Sequence, residues 1–331
     1  MRAELVLQTI KDLFPIKRPL SIVGPPGGGK TSLVRTASQQ LSIGYIEKHM
    51  PTMLVEDFGI PDMATGDDNF AYKLPDWYPA VGRDDIPDEG IICFDDRNQA
   101  GNDLQKVLAN IEQARTLHGV KMKDGWMVVT TGNRQEDRAG ANRILSHLAN
   151  RETVIELDTH LDDSTKWMIE NNVATEVVAF LRFRPNLLHD FDPQRDQNPT
   201  PRSWVEGVSA VLGVVSAEAE YECFKGAVGE GCAAEFSGFL KIERKLPNPD
   251  TIIQSPMSVA VPDDPATCYA LTGALGERAN ADNFGNIVKF AERMSPEFSV
   301  LCVSYASRKN PDLASHQAFT EWAIKHQDVL F

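Results

Sequence analysis

Cysteine is scarce in this sequence. Its five cysteines, Cys93, Cys223, Cys232, Cys268 and Cys302, are odd in number and scattered, with no pair at metal-ligand spacing. That excludes a disulfide scaffold and a cysteine-zinc site, and each thiol is expected to behave as a small buried hydrophobe. Basic residues are also in deficit, 33 Lys and Arg against 47 Asp and Glu, for a net charge of -14. Such a balance opposes non-specific binding to DNA or RNA, although it leaves room for a local basic pore. No apolar run approaches the roughly 18 to 20 residues needed to cross a bilayer, so no membrane span is expected. The start, Met1-Arg2-Ala3-Glu4-Leu5, carries an early acid and no long apolar stretch, which is unlike a signal peptide and leads us to expect a cytoplasmic protein. Internal repeats and low-complexity tracts are lacking too. With 42% hydrophobic and 24% charged residues the chain has ordinary globular composition, and its 331 residues suggest two or three domains.

Against these absences one stretch stands out: Gly24-Pro25-Pro26-Gly27-Gly28-Gly29-Lys30-Thr31, followed by Ser32. It closes the apolar run Leu20-Ser21-Ile22-Val23 and opens a helical pattern to Leu41, so it fits the phosphate-loop template in its required strand-loop-helix context. A polyphosphate has to be wrapped by inward-pointing main-chain N–H groups. Only a loop nearly free of side chains supplies them, and the helix N-terminus behind it adds positive partial charge. Lys30 is then expected to reach the β- and γ-phosphates of ATP, and the Thr31 hydroxyl to take a position on Mg²⁺.

The second landmark is Gly90-Ile91-Ile92-Cys93-Phe94-Asp95-Asp96, four apolar residues ending in two carboxylates. The run is long enough for a buried parallel strand, and an acid just past its C-terminal end lies where open α/β sheets bind ligands. Asp95 is placed to organise Mg²⁺ and Asp96 to polarise an attacking water. Further strands are expected at Ile43 to Ile46, Trp126 to Asn133 and Thr153 to Leu157. Helices are expected at Leu5 to Phe14, Asn102 to Thr116 and Ala139 to Asn150. Strands alternating with helices argue a parallel sheet covered on both faces. From Asp162 onward the pattern is helical, with expected helices at Asp162 to Asn171, Ala174 to Phe183, Arg202 to Val215, Ala217 to Ala227, and four more between Thr267 and His326. Pro/Asp/Asn-rich connections at Arg184 to Pro201 and Lys245 to Asp250 interrupt it.

In this order the motifs resemble the AAA+ ATPases, and within them the MoxR-like group with extra hairpins in helix 2 and before the sensor strand. The resemblance spans roughly residues 5 to 230 and rests on GPPGGGKTS, IICFDD, WMVVTTGN, ILSHLANRETVIEL and Thr200-Pro201-Arg202. It implies an α/β P-loop NTPase core with a five-stranded parallel sheet and flanking helices over residues 1–160. An α-helical lid over 161–235 and a mostly helical C-terminal extension over 236–331 would follow. The resemblance makes Asn133 the sensor 1 residue that helps hold the water and Arg202 the sensor 2 arginine of the lid. It makes Arg151 the arginine completing a neighbour's site, with Arg143 as the alternative. It also makes Asp67 to Pro79 and Leu117 to Gly125 the two insert hairpins. Within the first of these, Trp77 and Tyr78 either project toward a pore or pin a loop onto the body.

The function implied is ATP hydrolysis in a ring-shaped homo-oligomer, a hexamer, that remodels or assembles a protein partner. Von Willebrand factor A domain proteins are the partners the resemblance suggests. One departure matters: the family's second acidic residue is usually Glu, and here it is Asp96, one methylene shorter. Since proton-transfer geometry is sensitive at this level, a nucleotide-gated scaffold with little hydrolysis is an alternative. A monomeric P-loop phosphotransferase is another, although such enzymes carry short lids rather than a long helical C-terminal half.

Overall fold

A computed structural model describes residues 1–62, 71–134, 152–243 and 247–326, and the chain divides into two compact units, Met1–His160 and Leu161–Phe331. In the first unit α1 (Ala3–Leu13) leads into β1 (Leu20–Gly24), the phosphate loop and α2 (Lys30–Leu41). Next come β2 (Gly44–His49), a small antiparallel pair β3 (Ile60–Asp62) and β4 (Ala71–Lys73), then β5 (Glu89–Asp95) and α3 (Asn102–Ala114). A second antiparallel pair, β6 (Thr116–Leu117) and β7 (Val120–Lys121), precedes β8 (Gly125–Asn133) and β9 (Thr153–Glu156).

The main sheet has the order β2-β5-β8-β1-β9, and every pairing in it is parallel. Alternation along its central strands explains the unbroken apolar runs. Ile91 and Cys93 of β5 and Met127 and Val129 of β8 enter a core with Val6, Ile10, Val34 and Ala37 of α1 and α2. Ile92 and Phe94, with Trp126 and Val128, enter a second core with Leu104, Leu108 and Ile111 of α3. Both faces are therefore covered, and strands buried on both sides have no polar positions to alternate. This is the five-stranded, helix-flanked P-loop fold that the resemblance to AAA+ ATPases implies.

The structure shifts the first insert hairpin and decides between the two readings of its aromatics. The first hairpin pairs residues 60–62 with 71–73, upstream of the expected start, and positions 67–70 lie outside the described residues. Trp77 and Tyr78 do not project: they are 9% and 0% exposed, and Trp77 meets Phe58 and Phe94 edge to face. The Tyr78 hydroxyl donates to the Val120 carbonyl at 3.0 Å, so these aromatics pin the loop to the second core and to the second hairpin.

The second unit is helical. It comprises α4 (Leu161–Glu170), α5 (Thr175–Phe183), a π-helix (Ser203–Ser209), α6 (Ala217–Val228), α7 (Glu230–Glu243), α8 (Pro249–Gln254), α9 (Pro265–Glu277), α10 (Phe284–Ala291), α11 (Pro296–Lys309) and α12 (Gln317–Lys325). The regular helix expected over Arg202 to Val215 is instead the π-helix followed by turns, and α7 was not expected at all. The boundary expected near residue 235 falls inside α7, where Phe236 and Phe239 pack on Phe180 and Phe236 also on Trp204. Helix α9 supplies Ala266 and Ala270 to this aromatic core and Leu271 and Leu275 to a second one with Phe284, Phe290, Cys302 and Trp322. Buried all round, α9 has no polar face, as expected of a central helix.

The cysteines are free; four are buried and Cys223 is half-buried. Burial pushes the Cys302 thiol up to about 12, so it is inert as a nucleophile. Among the described residues no helix is long and apolar enough to cross a membrane.

Candidate functional site

Because the sheet is parallel, all five strands end at one edge, and the polar strand-end residues collect there. Register sets Gly24 beside Asn133 and His49 beside Asp95. The phosphate loop leaves β1 at a point too tight for any side chain: a Cβ on Gly24 would stand 2.7 Å from the Leu157 carbonyl oxygen. It re-enters regular structure through Gly29, whose φ of 89° falls in the left-handed region that favours glycine. Lys30 then opens α2 and is 6% exposed. Its ammonium donates to the Gly24 and Pro25 carbonyls at 3.0 Å each and to Asn133 Oδ1 at 2.9 Å.

Asp95 is the hub of the site. The Thr31 hydroxyl donates to its Oδ1, as does the Thr131 hydroxyl at 2.5 Å, while His49 Nδ1 lies 3.3 Å from Oδ2. Burial alone would push the Asp95 carboxyl up, but hydrogen bonds from Thr131, Thr31 and His49 outweigh it and hold the group below the ordinary aspartate range. It is therefore an anion at neutral pH. Asp96 has φ 52° and its N–H donates to Thr131 Oγ1 at 3.1 Å, so the chain turns away from the strand at that residue. Asn133 is fixed by a reciprocal pair with Asn98: its N–H donates to Asn98 Oδ1 at 3.2 Å, and Asn98 Nδ2 donates to its carbonyl at 2.6 Å.

Hydroxyl and carboxylate oxygens suit a hard divalent ion, and Thr31 with Asp95 supplies both. One ligand atom each from His49, Asp95 and Asp96 lies within 4.8 Å of the others. The donor set fits a Mg²⁺-type cation at the mouth of the loop.

Behind Asp96 lies a buried charge cluster. The Arg97 guanidinium donates to Glu112 Oε1 at 2.9 Å and to Glu152 through two bonds of 2.8 and 2.6 Å. All three side chains are 0 to 1% exposed. Burial would lower the arginine's hold on its proton, yet Glu152 and Glu112 outweigh that and raise it. The cluster ties the turn after Asp95-Asp96 to α3 and to the start of β9.

Of the expected site residues, the structure brings Gly24, Pro25, Pro26, Gly27, Gly28, Gly29, Lys30, Thr31 and Ser32 together with Asp95, Asp96 and Asn133 at one end of the sheet. Arg202 belongs to the second unit, exposed in the turn where Thr200 and Ser203 cap each other at 2.8 and 3.1 Å. Arg151, Arg143 and the expected helix Ala139 to Asn150 lie outside the described residues. The residues that sequence reasoning missed are His49, Asn98, Thr131 and the Arg97 cluster. His49 closes β2, which runs three residues past the expected end at Ile46.

No protein-family profile matches the chain, and no curated protein does. Among solved structures it is similar to RuvB from Thermotoga maritima, with 17% identity, 82% of this chain and 80% of that one covered, and a TM-score of 0.41. It is also similar to NtrX from Brucella abortus, solved with ADP, with 13% identity, 99% and 68% covered, and a TM-score of 0.37. A third is a putative ATPase from Cytophaga hutchinsonii, with 13% identity, 92% and 79% covered, and a TM-score of 0.36. The fold assignment rests on the strand order, the parallel register and the loop that follows the first strand.

Proposed function

We propose that the chain is a MoxR-like AAA+ ATPase of the cytoplasm that binds and hydrolyses ATP with Mg²⁺ in a homo-oligomeric ring, a hexamer, and so remodels or assembles a protein partner. The observation that carries the reading is the joining of phosphate loop to acidic strand through Thr31 and Asp95, with Lys30 bonded across to Asn133. Lys30 and the loop N–H groups bind the polyphosphate, Thr31 and Asp95 hold the cation, and Asn133, locked by Asn98, orients the water. When bound, Mg²⁺ supplies charge neutralisation on the β- and γ-phosphate oxygens. Asp96 accepts the water's proton. Arg202 of the lid and Arg151 from a neighbouring subunit meet the charge that develops on the transferring phosphoryl group. A protein client of the von Willebrand factor A domain class is part of this reading, as are the three segments 1–160, 161–235 and 236–331 in the roles of core, lid and extension.

Asp95→Asn should leave nucleotide binding measurable by calorimetry and cut phosphate release by about 100-fold or more, the scale on which losing one preorganised electrostatic partner acts. Turnover at the original rate would remove Asp95 from its role.

The short carboxylate at Asp96, on a residue already in the left-handed region, favours one second reading, a nucleotide-gated scaffold that hydrolyses slowly. Asp96→Glu separates the two. If reach limits the rate, the longer side chain should raise phosphate release by about tenfold, a fraction of the roughly 10² to 10⁴ that a well-placed base contributes. A fall instead would mean the pocket is shaped for aspartate.

A further inference from the structure

His49 is the residue of the site that the proposed chemistry leaves unused. It ends β2, the edge strand, and is the register partner of Asp95, which ends β5. Partners in parallel strands project to the same side, so imidazole and carboxylate leave the sheet edge together. Nδ1 of His49 lies 3.3 Å from Oδ2 of Asp95, and the nearest ligand atoms of His49, Asp95 and Asp96 fall within 4.8 Å of one another. Two neighbouring ligands of an octahedral ion, each about 2.1 Å from it and at right angles, stand about 3.0 Å apart. The observed spacing thus suits a shared cation as well as a hydrogen bond. Asp95 cannot easily rotate out of the arrangement, because Thr31 and Thr131 both hold its other oxygen. The imidazole is free to adjust: His49 is 47% exposed and lines a cavity of about 550 Å³ shared with Lys48, Met53 and Trp77.

We propose that His49, through Nδ1, is a direct ligand of the divalent cation held by Thr31 and Asp95, and that this nitrogen shifts the site's preference from Mg²⁺ toward Mn²⁺. The inference rests on the reading of this site as a nucleotide-metal site and adds a ligand and a selectivity to it. Its chemical basis is donor type. Mg²⁺ takes oxygen ligands and keeps its waters, whereas first-row transition ions gain affinity from a nitrogen donor, and Mn²⁺, the lowest of that series, is the one that shares the oxygen-rich octahedral sites of Mg²⁺. A phosphate-loop site built only of hydroxyl and carboxylate gives Mn²⁺ no such advantage.

The test uses the full chain with ¹⁵N-labelled histidine, loaded with ADP and Mn²⁺ and read by pulsed electron paramagnetic resonance. The expected result is ³¹P coupling from the nucleotide together with ¹⁵N coupling from one histidine. His49→Gln should keep the ³¹P coupling, lose the ¹⁵N coupling and reduce the Mn²⁺-over-Mg²⁺ preference in a competition titration by about tenfold, the lower end of the effect of removing a metal-supporting group. Phosphorus coupling without nitrogen coupling in the unmutated protein would overturn the inference while leaving the nucleotide site standing. Nitrogen coupling that persists in His49→Gln would assign the ligand to another histidine and equally overturn it. Absence of phosphorus coupling would overturn the nucleotide reading itself, and the inference with it.

Discussion

Lys30→Ala should weaken ATP binding by about 10² to 10³-fold in calorimetry and abolish hydrolysis. The ammonium is 6% exposed and already desolvated, so a phosphate oxygen meeting it there forms a charge-assisted bond in a low-dielectric pocket. Truncating one partner of a buried, hydrogen-bonded charge pair costs about 2–5 kcal/mol, and each 1.4 kcal/mol is a factor of about ten in affinity. The substitution also removes the donor that the Gly24 and Pro25 carbonyls share, so the loop loses a brace along with its cation. Near-native affinity in the variant would dismiss the phosphate-loop reading whatever happened to activity. A loss of affinity with an unchanged thermal transition would place the effect at the ligand rather than in the fold.

The second large effect concerns stability. Arg97→Met should lower the thermal midpoint by about 6–20 °C. Removing the guanidinium strands Glu112 and Glu152 in a region 0 to 1% exposed, and breaking a buried pair in this way costs about 3–5 kcal/mol. In a unit of this size 1 kcal/mol moves the midpoint by about 2–4 °C. The companion variant replaces all three residues, Arg97→Met with Glu112→Leu and Glu152→Leu. It should regain most of the loss, because an apolar cluster of similar volume is often as stable as the ion cluster it replaces. If Arg97→Met unfolds at the original temperature, the cluster does not hold the turn after Asp96 in place. A triple variant as unstable as the single one would show that volume and packing, not stranded charge, carry the cost.

What the sequence made legible was whatever chemistry is local. Gly24 to Thr31 declares itself because backbone access to a polyphosphate needs consecutive residues, and Ile91 to Asp95 because a doubly buried strand must be apolar without a break. His49 and Asp95 are 46 residues apart, and Asn98 and Asn133 are 35 apart. Each pair exists only because of strand order and register, which no local pattern encodes. The Arg97 cluster was hidden for a related reason: an arginine two positions after a strand reads as a surface residue until two distant glutamates are found behind it. Trp77 and Tyr78 sit in a stretch whose prolines and charges resemble a solvated loop, yet the aromatics anchor it, together with backbone bonds that join Pro79 and Val81 to the second hairpin. Helix α7 was missed because Gly231 and Gly238 dilute its helical signal, and its stability comes from aromatic packing rather than propensity.

The bond between Lys30 and Asn133 makes two properties of the site a single equilibrium. Where a phosphate oxygen draws the ammonium away from the amide oxygen rather than from the Gly24 or Pro25 carbonyl, filling the loop and freeing the Asn133 amide are one event. Thermodynamic reciprocity then runs the other way. Whatever engages the Asn133 amide, a water or a neighbouring side chain, releases the ammonium and strengthens its hold on phosphate by the same free energy. The end of β8 can thus register occupancy of the loop through the travel of one cation, with no strand having to shift.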